Sequence, residues 1–335
     1  MLLQLADQIT YLAAMELKPE VVKRIESLEK KYSAMGQDLI SYLDGLLYTD
    51  FLTYWDYVHV DTLLSLQNPR TSFPDEEIFI IYHQITELYF KLCLNEFEQL
   101  TKSSKPEPDF FLVRLSRINN YFENLVRSFE IMVSGMEPQQ FLKFRMSLLP
   151  ASGFQSAQYR MIEICATDFL RLVSNDKRSN FNEGSSIQEM FEYIYWKAGA
   201  TELATGKKTL TLEQFEEKYS ESLIKLAEER RTTNLWHIYK KLSPSDQNDD
   251  RIHGSMKMLD VNINVNWPLS HYKSAVRYLQ KDPEDIKATG GTNWQKYLPP
   301  RFQRRIFFPE LWSAEELENW GRSWVSKEVF GLKEF

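Results

Sequence analysis

The segment at residues 73–100 constrains the fold more than any other part of the chain. It opens with Pro74 and Asp75, and the glutamates that follow place negative charge where a helix N-terminus favours it. Apolar residues then recur three and four positions apart, which is the spacing of one helix face: Ile78, Ile81, Ile85, Leu88 and Leu92. The pattern predicts a long helix that buries this stripe, with His83 in its middle and Phe79 one turn earlier on the same face.

The rest of the chain predicts an all-α fold. Only 12 of 335 residues are glycine, while 21 Phe, 17 Tyr and 8 Trp provide material for a thick helical core. Further helices are predicted over 1–17, 20–47, 110–133, 156–173, 212–242, 314–329 and from about 255, or from a restart near Trp267, to 279. We expect Thr211 and Gln214 to form a capping box at the start of the 212–242 helix. The stretch 175–250 is interpreted as a less regular helical insertion in one main unit.

Charge and cysteine content narrow the functional classes. The formal net charge of −7 argues against general nucleic-acid binding, and the basic run RFQRR at 301–305 is interpreted as a solvated or interface patch. The two cysteines, Cys93 and Cys165, lie in apolar helical patterns and are expected to be buried free thiols in a reducing, cytoplasmic compartment. No stretch has the length of a membrane span, and the N-terminus lacks the charge pattern of a signal peptide.

Familiar catalytic motifs are absent from the sequence. The five histidines form no zinc motif, and neither a P-loop, a dinucleotide fingerprint nor a GxSxG element is present. A haem site requires a less distinctive sequence signal than these motifs, namely one axial histidine and an apolar slot. His271 is a candidate because Trp267 precedes it by one helical turn, although a lone helical histidine is more often structural. Arg145 is either a surface cation or, if buried, a clamp for a carboxylate.

Several short motifs occur together and in a fixed order, and this joint pattern is far more specific than any of its parts. Together they resemble the tryptophan 2,3-dioxygenase family, haem enzymes that open the indole ring. The motifs are YxxY followed by LLxLQ at 54–67, DExxFIIxHQxxELxFK at 75–91, FRxxLxPASGFQSxQxR at 144–160, WxxxH at 267–271, TGG at 289–291 and YLxPR at 297–301.

The resemblance implies a haem b cofactor and a role for each matched residue around it. His271 matches the proximal ligand of the haem iron, and His83 matches the distal histidine that meets the indole N–H. Phe79 matches an aromatic residue that lines the pocket. Arg145 matches the arginine that binds the substrate carboxylate, with Phe141 at the neighbouring aromatic position.

Two further parts of the implied pocket come from elsewhere. Thr289 matches the threonine that contacts the substrate ammonium, on a glycine-containing loop that closes over the substrate. Tyr54, Tyr57 and Val58 match a pocket wall that a neighbouring subunit provides, although such an aromatic stripe is, from its pattern alone, more often core packing. The resemblance therefore implies a homo-oligomer, a tetramer built as a dimer of dimers, of single-domain chains (1–335) with the N-terminal helices (1–50) in oligomer contacts.

The implied reaction is cleavage of the indole C2–C3 bond of L-tryptophan by dioxygen to give N-formylkynurenine, in tryptophan catabolism through the kynurenine pathway. One alternative keeps the haem but adds a single oxygen atom to an indole or phenol in secondary metabolism. A second alternative is a haem-binding helical protein without turnover. The matched Arg145, Thr289 and His83 favour the tryptophan reaction, because a substrate that is not an amino acid would not need all three.

The chain departs from the family pattern at several positions. Val58 stands where the family usually has leucine, and Tyr89 replaces the tryptophan of an ELWFK pattern. The residues 292–294 replace the usual small residues after TGG, and the span from His271 to Thr289 is a few residues longer, around 281–285. The substitutions at 58, 89 and 292–294 are expected to reshape the pocket or its lid, whereas the longer span bears on the alignment of the loop that carries Thr289.

Overall fold

A computed structural model describes residues 17–49, 52–102, 106–148, 155–201, 207–279 and 304–321. These residues contain many helices and no β-strand, with two isolated antiparallel bridges between Val173 and Ile194 and between Thr201 and Lys208. The prediction of an all-α fold is therefore confirmed. The predicted helix at 1–17 lies, except for its last residue, outside the described residues.

The chain divides into two compact units, residues 1–66 and 67–335. The helices of the first unit are α1 (Pro19–Ala34), α2 (Leu39–Leu47), α3 (Tyr54–Val58) and α4 (Val60–Leu63). The single helix predicted over 20–47 is in fact two helices, because Gly36 adopts a φ of 66° and ends α1, and Asp38 then caps α2. Leu39 is the one buried hydrophobic side chain among the described residues of this unit.

The second unit contains the long helix predicted from the sequence, α5 (Asp75–Thr101). The next helices in the chain are α6 (Pro108–Ser128), α7 (Glu130–Ser134), α8 (Pro138–Phe144), α9 (Ala157–Ala166), α10 (Phe169–Leu172), α11 (Ile187–Phe191) and α12 (Tyr195–Gly199). Short 3₁₀ helices follow α8 at Arg145–Leu148 and α10 at Arg178–Asn180.

The remaining helices build the part of the second unit that carries His271. They are α13 (Leu210–Arg230), α14 (Leu235–Lys240), α15 (Pro244–Gln247), α16 (Asp250–Val261), α17 (Trp267–Leu279) and α18 (Ala314–Glu318). A π-helical turn at Asn262–Asn266 joins α16 to α17, and a 3₁₀ turn at Pro309–Leu311 precedes α18. The interpretation of the chain as a single haem domain with an insertion at 175–250 stays a prediction.

Two sequence predictions about helix boundaries are wrong. Thr209, not Thr211, caps α13, since its side chain accepts the Leu212 N–H, and the helix starts two residues earlier than predicted. The helix predicted over 212–242 is also broken, because the Asn234 side chain accepts the His237 N–H and starts α14. In both places a polar side chain satisfies an N–H of the first helical turn, and several nearby residues could have done so.

The buried face of α5 also differs from the prediction. The predicted stripe is largely exposed in the chain, at 38% for Ile81, 37% for Ile85, 49% for Leu88 and 45% for Leu92. A second stripe at helical spacing is buried instead, and it consists of Tyr82, Thr86, Phe90, Cys93, Phe97 and Leu100. Periodicity identifies apolar faces, but a helix with two such faces does not indicate which one the chain itself covers.

Cys93 and Cys165 are buried free thiols, as predicted. Burial raises the pKa of both, to about 11 for Cys165. The interpretation of the basic run at 301–305 as a solvated or interface patch is wrong for Arg305, which is buried within the chain and forms an ion pair of 2.7 Å with the buried Glu163. Among the described residues, no helix is long and apolar enough to cross a membrane.

Candidate functional site

The start of α5 is fixed against the preceding loop and against α8. The buried Glu76 carboxylate accepts the Arg70 and Thr71 N–H groups, each at 2.8 Å. Asp75 accepts the Glu137 N–H at 2.6 Å, and its own N–H donates to the Gln140 side chain at 3.3 Å. These bonds hold the first turns of α5 beside α8, so the side chains of the two helices can contribute to one site.

His83 lies two turns into α5 and contacts the ring of Phe79, with 4.1 Å between ring centroids. Its Nδ1 is 2.7 Å from the Phe79 carbonyl oxygen. A carbonyl oxygen accepts and never donates, so Nδ1 carries the proton of the neutral ring and Nε2 keeps its lone pair. The imidazole therefore presents an acceptor away from its own helix.

Solvent exposure and electrostatics together describe the surroundings of His83. Its side chain is exposed in the chain, yet desolvation by the surrounding protein is the main cause that lowers its pKa. The two observations agree when protein surrounds a side chain on most sides and leaves one side open. With a lowered pKa, His83 is neutral at pH 7.

His271 is positioned in the same way on α17. Its Nδ1 is 3.1 Å from the Trp267 carbonyl oxygen, which leaves Nε2 with a free lone pair. The rings of Trp267 and Phe129 each lie 4.5 Å from the imidazole, centroid to centroid. Burial lowers the pKa of His271 to about 4, with a further contribution from the charge of His83, so the two imidazoles lie within electrostatic range of each other.

Aromatic rings connect the two histidines. Tyr82 contacts His83 with a centroid distance of 6.3 Å and Phe129 with one of 5.6 Å, and Phe129 in turn contacts His271. On α17 the single Tyr278 hydroxyl proton is shared between two carbonyl oxygens, that of Val133 in α7 at 3.1 Å and that of Met136, which follows α7, at 3.2 Å. The two histidine-bearing helices therefore meet around one aromatic cluster.

Arg145 follows α8 directly and is 5% exposed. Burial lowers the pKa of its guanidinium. Its neighbours in the chain pack on the His83 side of the cluster, since the Phe144 and Phe141 rings lie 5.9 and 6.5 Å from that of Phe79. A buried guanidinium beside aromatic rings can hold a carboxylate through two parallel hydrogen bonds.

The structure thus brings Phe79, His83, Phe141 and His271 around one aromatic cluster, and the buried Arg145 directly follows Phe144 of that cluster in the chain. Thr289 lies outside the described residues. The three remaining predicted site residues lie on α3 in the first unit and are exposed, at 73% for Tyr54, 75% for Tyr57 and 41% for Val58. The roles assigned to all these residues stay predictions.

Sequence reasoning missed four aromatic residues of the cluster, which are Tyr82, Phe129, Phe144 and Tyr278. Phe144 carries a signal, since it stands directly before Arg145 and three residues after Phe141. Tyr82 lies on α5, whereas Phe129 lies between α6 and α7, so no local spacing relates them. Tyr278 contacts Phe141 at a centroid distance of 4.7 Å, a pairing that depends on how α17 packs on α8.

The residues present fit a haem. A neutral imidazole whose Nε2 is free is the donor that a haem iron takes as an axial ligand, and aromatic side chains suit the flat apolar macrocycle. His271 has this donor, and its Nδ1 bond to a carbonyl oxygen fixes the ring orientation. His83, also neutral, presents a second polar atom within electrostatic range.

Comparison with known proteins agrees with this geometry. The sequence model of the family described as tryptophan 2,3-dioxygenase matches residues 48–241, more than half of the chain. The tryptophan 2,3-dioxygenase of Bacillus thuringiensis subsp. konkukian (strain 97-27) is 28% identical over 287 residues, which cover 80% of this chain and 94% of that protein.

Two more relatives of the same name illustrate the range of similarity. That of Exiguobacterium sibiricum is 27% identical over 294 residues, covering 84% of this chain and 99% of the relative. That of Ruegeria sp. (strain TM1040) is 41% identical over 120 residues, covering 35% of this chain and 42% of the relative. The chain therefore belongs to the tryptophan 2,3-dioxygenase family and is an oxidoreductase of the dioxygenase type.

Proposed function

We propose that this chain cleaves the indole C2–C3 bond of L-tryptophan with dioxygen and releases N-formylkynurenine, with haem b held by His271. The observation that carries the proposal is the pair of neutral histidines, each with a free Nε2, on one aromatic cluster, with the buried Arg145 directly after Phe144 of that cluster in the chain. Membership of the family supplies the reaction type, and the kynurenine pathway is the route of tryptophan catabolism that this product would enter.

In this proposal the Nε2 of His271 would hold the haem iron, and the Trp267 carbonyl and Phe129 ring fix the orientation of the imidazole. Bound haem would supply the dioxygen chemistry, which amino-acid side chains alone do not provide. The lowered pKa of His271 keeps Nε2 free of a proton, which a metal ligand requires.

The remaining residues bind and orient the substrate. The Arg145 guanidinium takes the carboxylate, and the Nε2 of His83 accepts the indole N–H, while Phe79 and Phe141 form walls for the flat ring. A buried N–H without a partner costs about 1–3 kcal/mol, so the acceptor on His83 selects one orientation of the indole. His83 thus positions the substrate, and Thr289 is proposed to accept from its ammonium on a loop that excludes water.

The N-terminal unit is proposed to complete the site of a neighbouring copy. Tyr54, Tyr57 and Val58 are exposed, and so is the apolar stripe of α5, which a soluble monomer would not expose without a function. A homotetramer, built as a dimer of dimers with residues 1–50 at its contacts, would cover these surfaces. Light scattering gives the oligomeric state and a turnover assay gives the activity, and a fully active monomer would contradict the proposal.

The buried free thiols favour a reducing, cytoplasmic location.

Mass spectrometry of the product tests the reaction. Reduced, haem-loaded protein is mixed with L-tryptophan and isotopically labelled dioxygen, and the mass of the product is then measured. We expect a ring-opened product that carries two labelled oxygen atoms. One labelled atom would instead identify the monooxygenase alternative. Bound haem with no product from tryptophan would favour the haem-binding protein without turnover.

A further inference from the structure

The helix that carries His271 contains a proline near its beginning. Pro268 is the second residue of α17, which continues without interruption from α16 through the π turn. Inside a continuous helix, proline offers no N–H and its ring collides with the carbonyl four residues earlier. The π turn at Asn262–Asn266 widens the helix at that point, so the chain passes the proline and remains helical.

The π turn leaves one carbonyl without its regular donor. In this turn the Trp267 N–H bonds to the Asn262 carbonyl, five residues earlier. The next bond in the same register would run to the Ile263 carbonyl from residue 268, which is proline and has no N–H to give. Ile263 is fully buried, so no solvent water replaces that donor.

Tyr159 supplies the missing donor from another helix. Its hydroxyl, on α9, donates to the Ile263 carbonyl oxygen at 2.9 Å, and the side chain is 5% exposed. The Arg305 guanidinium donates to the same hydroxyl oxygen at 3.1 Å, which leaves the Tyr159 proton for Ile263. Arg305 also reaches the Ile263 carbonyl oxygen, at the longer distance of 3.5 Å, so the Tyr159 hydroxyl is the shorter of the two side-chain bonds to this carbonyl. A second bond holds the turn, since the Asn264 side chain donates to the buried Asp260 carboxylate at 2.7 Å.

We propose that Tyr159 is a positioning residue for His271, because its hydroxyl takes the place of the N–H that Pro268 lacks and so fixes the π turn. The turn ends at Asn266, and the next residue, Trp267, bears the carbonyl that orients the His271 imidazole. A shift of the turn therefore rotates the Nε2 of His271 relative to the aromatic cluster. The inference rests on the proposed function in that it takes His271 as the haem ligand.

The variant Tyr159→Phe tests this, because it removes the hydroxyl and keeps the buried ring. Tyr239→Phe is a matched control, since Tyr239 is 4% exposed and its hydroxyl donates to a carbonyl oxygen, that of Gln247, at 2.9 Å. In the ferrous holoenzyme we expect Tyr159→Phe to shift the iron–histidine stretching frequency in resonance Raman spectra. We also expect it to release haem about tenfold faster, the effect of losing a group that supports a metal ligand. Identical spectra and release rates for the two variants would overturn the proposal.

A second substitution isolates the link to the proline. Pro268→Ala restores an N–H at position 268, so the Ile263 carbonyl regains a backbone donor. In that background Tyr159→Phe should change the stretching frequency and the release rate much less than it does in the wild type. An undiminished effect would show that the hydroxyl does not stand in for the missing N–H.

Hydrogen–deuterium exchange gives a readout that needs no haem. We expect faster exchange at backbone amides of 264–271 in Tyr159→Phe than in the wild type or in Tyr239→Phe. Equal exchange in the three proteins would overturn the positioning role. If wild-type protein failed to bind haem, the proposed function would fail, while this exchange comparison would still decide the role of Tyr159.

Discussion

The two helices that carry the histidines use the same local device but are positioned by different means. In α5 and α17 alike, the imidazole Nδ1 bonds to the carbonyl oxygen one turn earlier. The start of α5 is fixed partly by residues next to it in sequence, since Glu76 binds the N–H groups of Arg70 and Thr71, and partly by the start of α8, since Asp75 binds the Glu137 N–H. By contrast, α17 depends on a π turn whose carbonyl is satisfied by Tyr159, over a hundred residues away.

The difference indicates which perturbations each histidine tolerates. A regular helix propagates its geometry through its own backbone bonds, so α5 presents His83 wherever its first turn is fixed. The position of α17 is set by side chains of other helices and of the 304–312 segment, which bind the turn before it. Perturbing distant residues is therefore expected to move His271 while leaving His83 in place.

The largest effect is expected when the two histidines are substituted one at a time, because their roles in haem binding differ. His271→Ala should lower haem affinity by more than about a hundredfold, because the axial ligand itself is removed rather than a group that supports it. His83→Ala should retain haem and lose tryptophan turnover. Haem titration followed by absorbance compares the two. A normal haem load in His271→Ala would point to another axial ligand.

The next largest effect is expected at Arg145, the buried cation that directly follows Phe144. Arg145→Leu should leave haem bound and reduce kcat/KM for L-tryptophan by about 10²- to 10³-fold, as expected when one partner of a buried charge pair is truncated. Tryptamine, which has an indole but no carboxylate, is the matched control substrate. Equal losses with both compounds would remove the carboxylate clamp and leave a structural role for Arg145.

A pH experiment examines the tertiary contacts of the His271 region. Asp260 is fully buried and accepts the Phe307 and Phe308 N–H groups at 2.9 and 3.1 Å. Burial raises the pKa of this carboxyl to about 6 from 3.8, against the lowering effect of its hydrogen bonds. Between those values the folded state holds more protons than the unfolded state, so the free energy of unfolding falls as pH rises, by about 3 kcal/mol.

Urea unfolding of the wild type and Asp260→Asn across pH 4 to 6 measures this contribution. The stability of the wild type relative to the variant should decrease as pH rises, because the variant has no titrating group at this position. An advantage that grows with pH would show that the hydrogen bonds to the carboxylate outweigh its burial.

The smallest effect is expected from a substitution at Glu76, at the start of α5. Glu76→Gln should lower the free energy of unfolding by about 1–2 kcal/mol, because only one amide oxygen remains to accept the loop N–H groups. Glu77→Gln, at the exposed neighbouring position, is the control. The iron–histidine stretching frequency should stay unchanged, since His271 does not depend on this turn. A shift there would show that the two helices are coupled.

Much of the site was predictable because short-range patterns encode it. The DExxFIIxHQ motif places His83 and Phe79 one turn apart, and WxxxH places His271 one turn after Trp267. Helical spacing guarantees these relations once the helix forms. The motif at 144–160 identified Arg145 as a candidate site residue, whereas only the structure shows that its side chain is buried.

Other features were beyond the sequence because they depend on which surfaces meet. Both apolar faces of α5 have the same period, and only packing against other helices, α6, α9 and α17 among them, decided that Phe90 is buried while Leu88 and Leu92 are exposed. Arg305 stands in a basic run, yet it pairs with Glu163 in the interior. A buried ion pair joins residues far apart in the chain, so neither partner carries a local signal.

Local patterns in the sequence were enough to predict the helical class, the position of α5 and the residues that face each other one turn apart, because helix geometry converts spacing along the chain into direction. The tertiary structure decided how α5 and α17 meet, because Tyr82 and Phe129 bring His83 and His271 to one cluster from separate helices. It also decided how the chain tolerates Pro268, whose missing N–H is replaced by the hydroxyl of Tyr159. Such a hydrogen bond forms only when distant segments pack together, and no spacing within one segment predicts it.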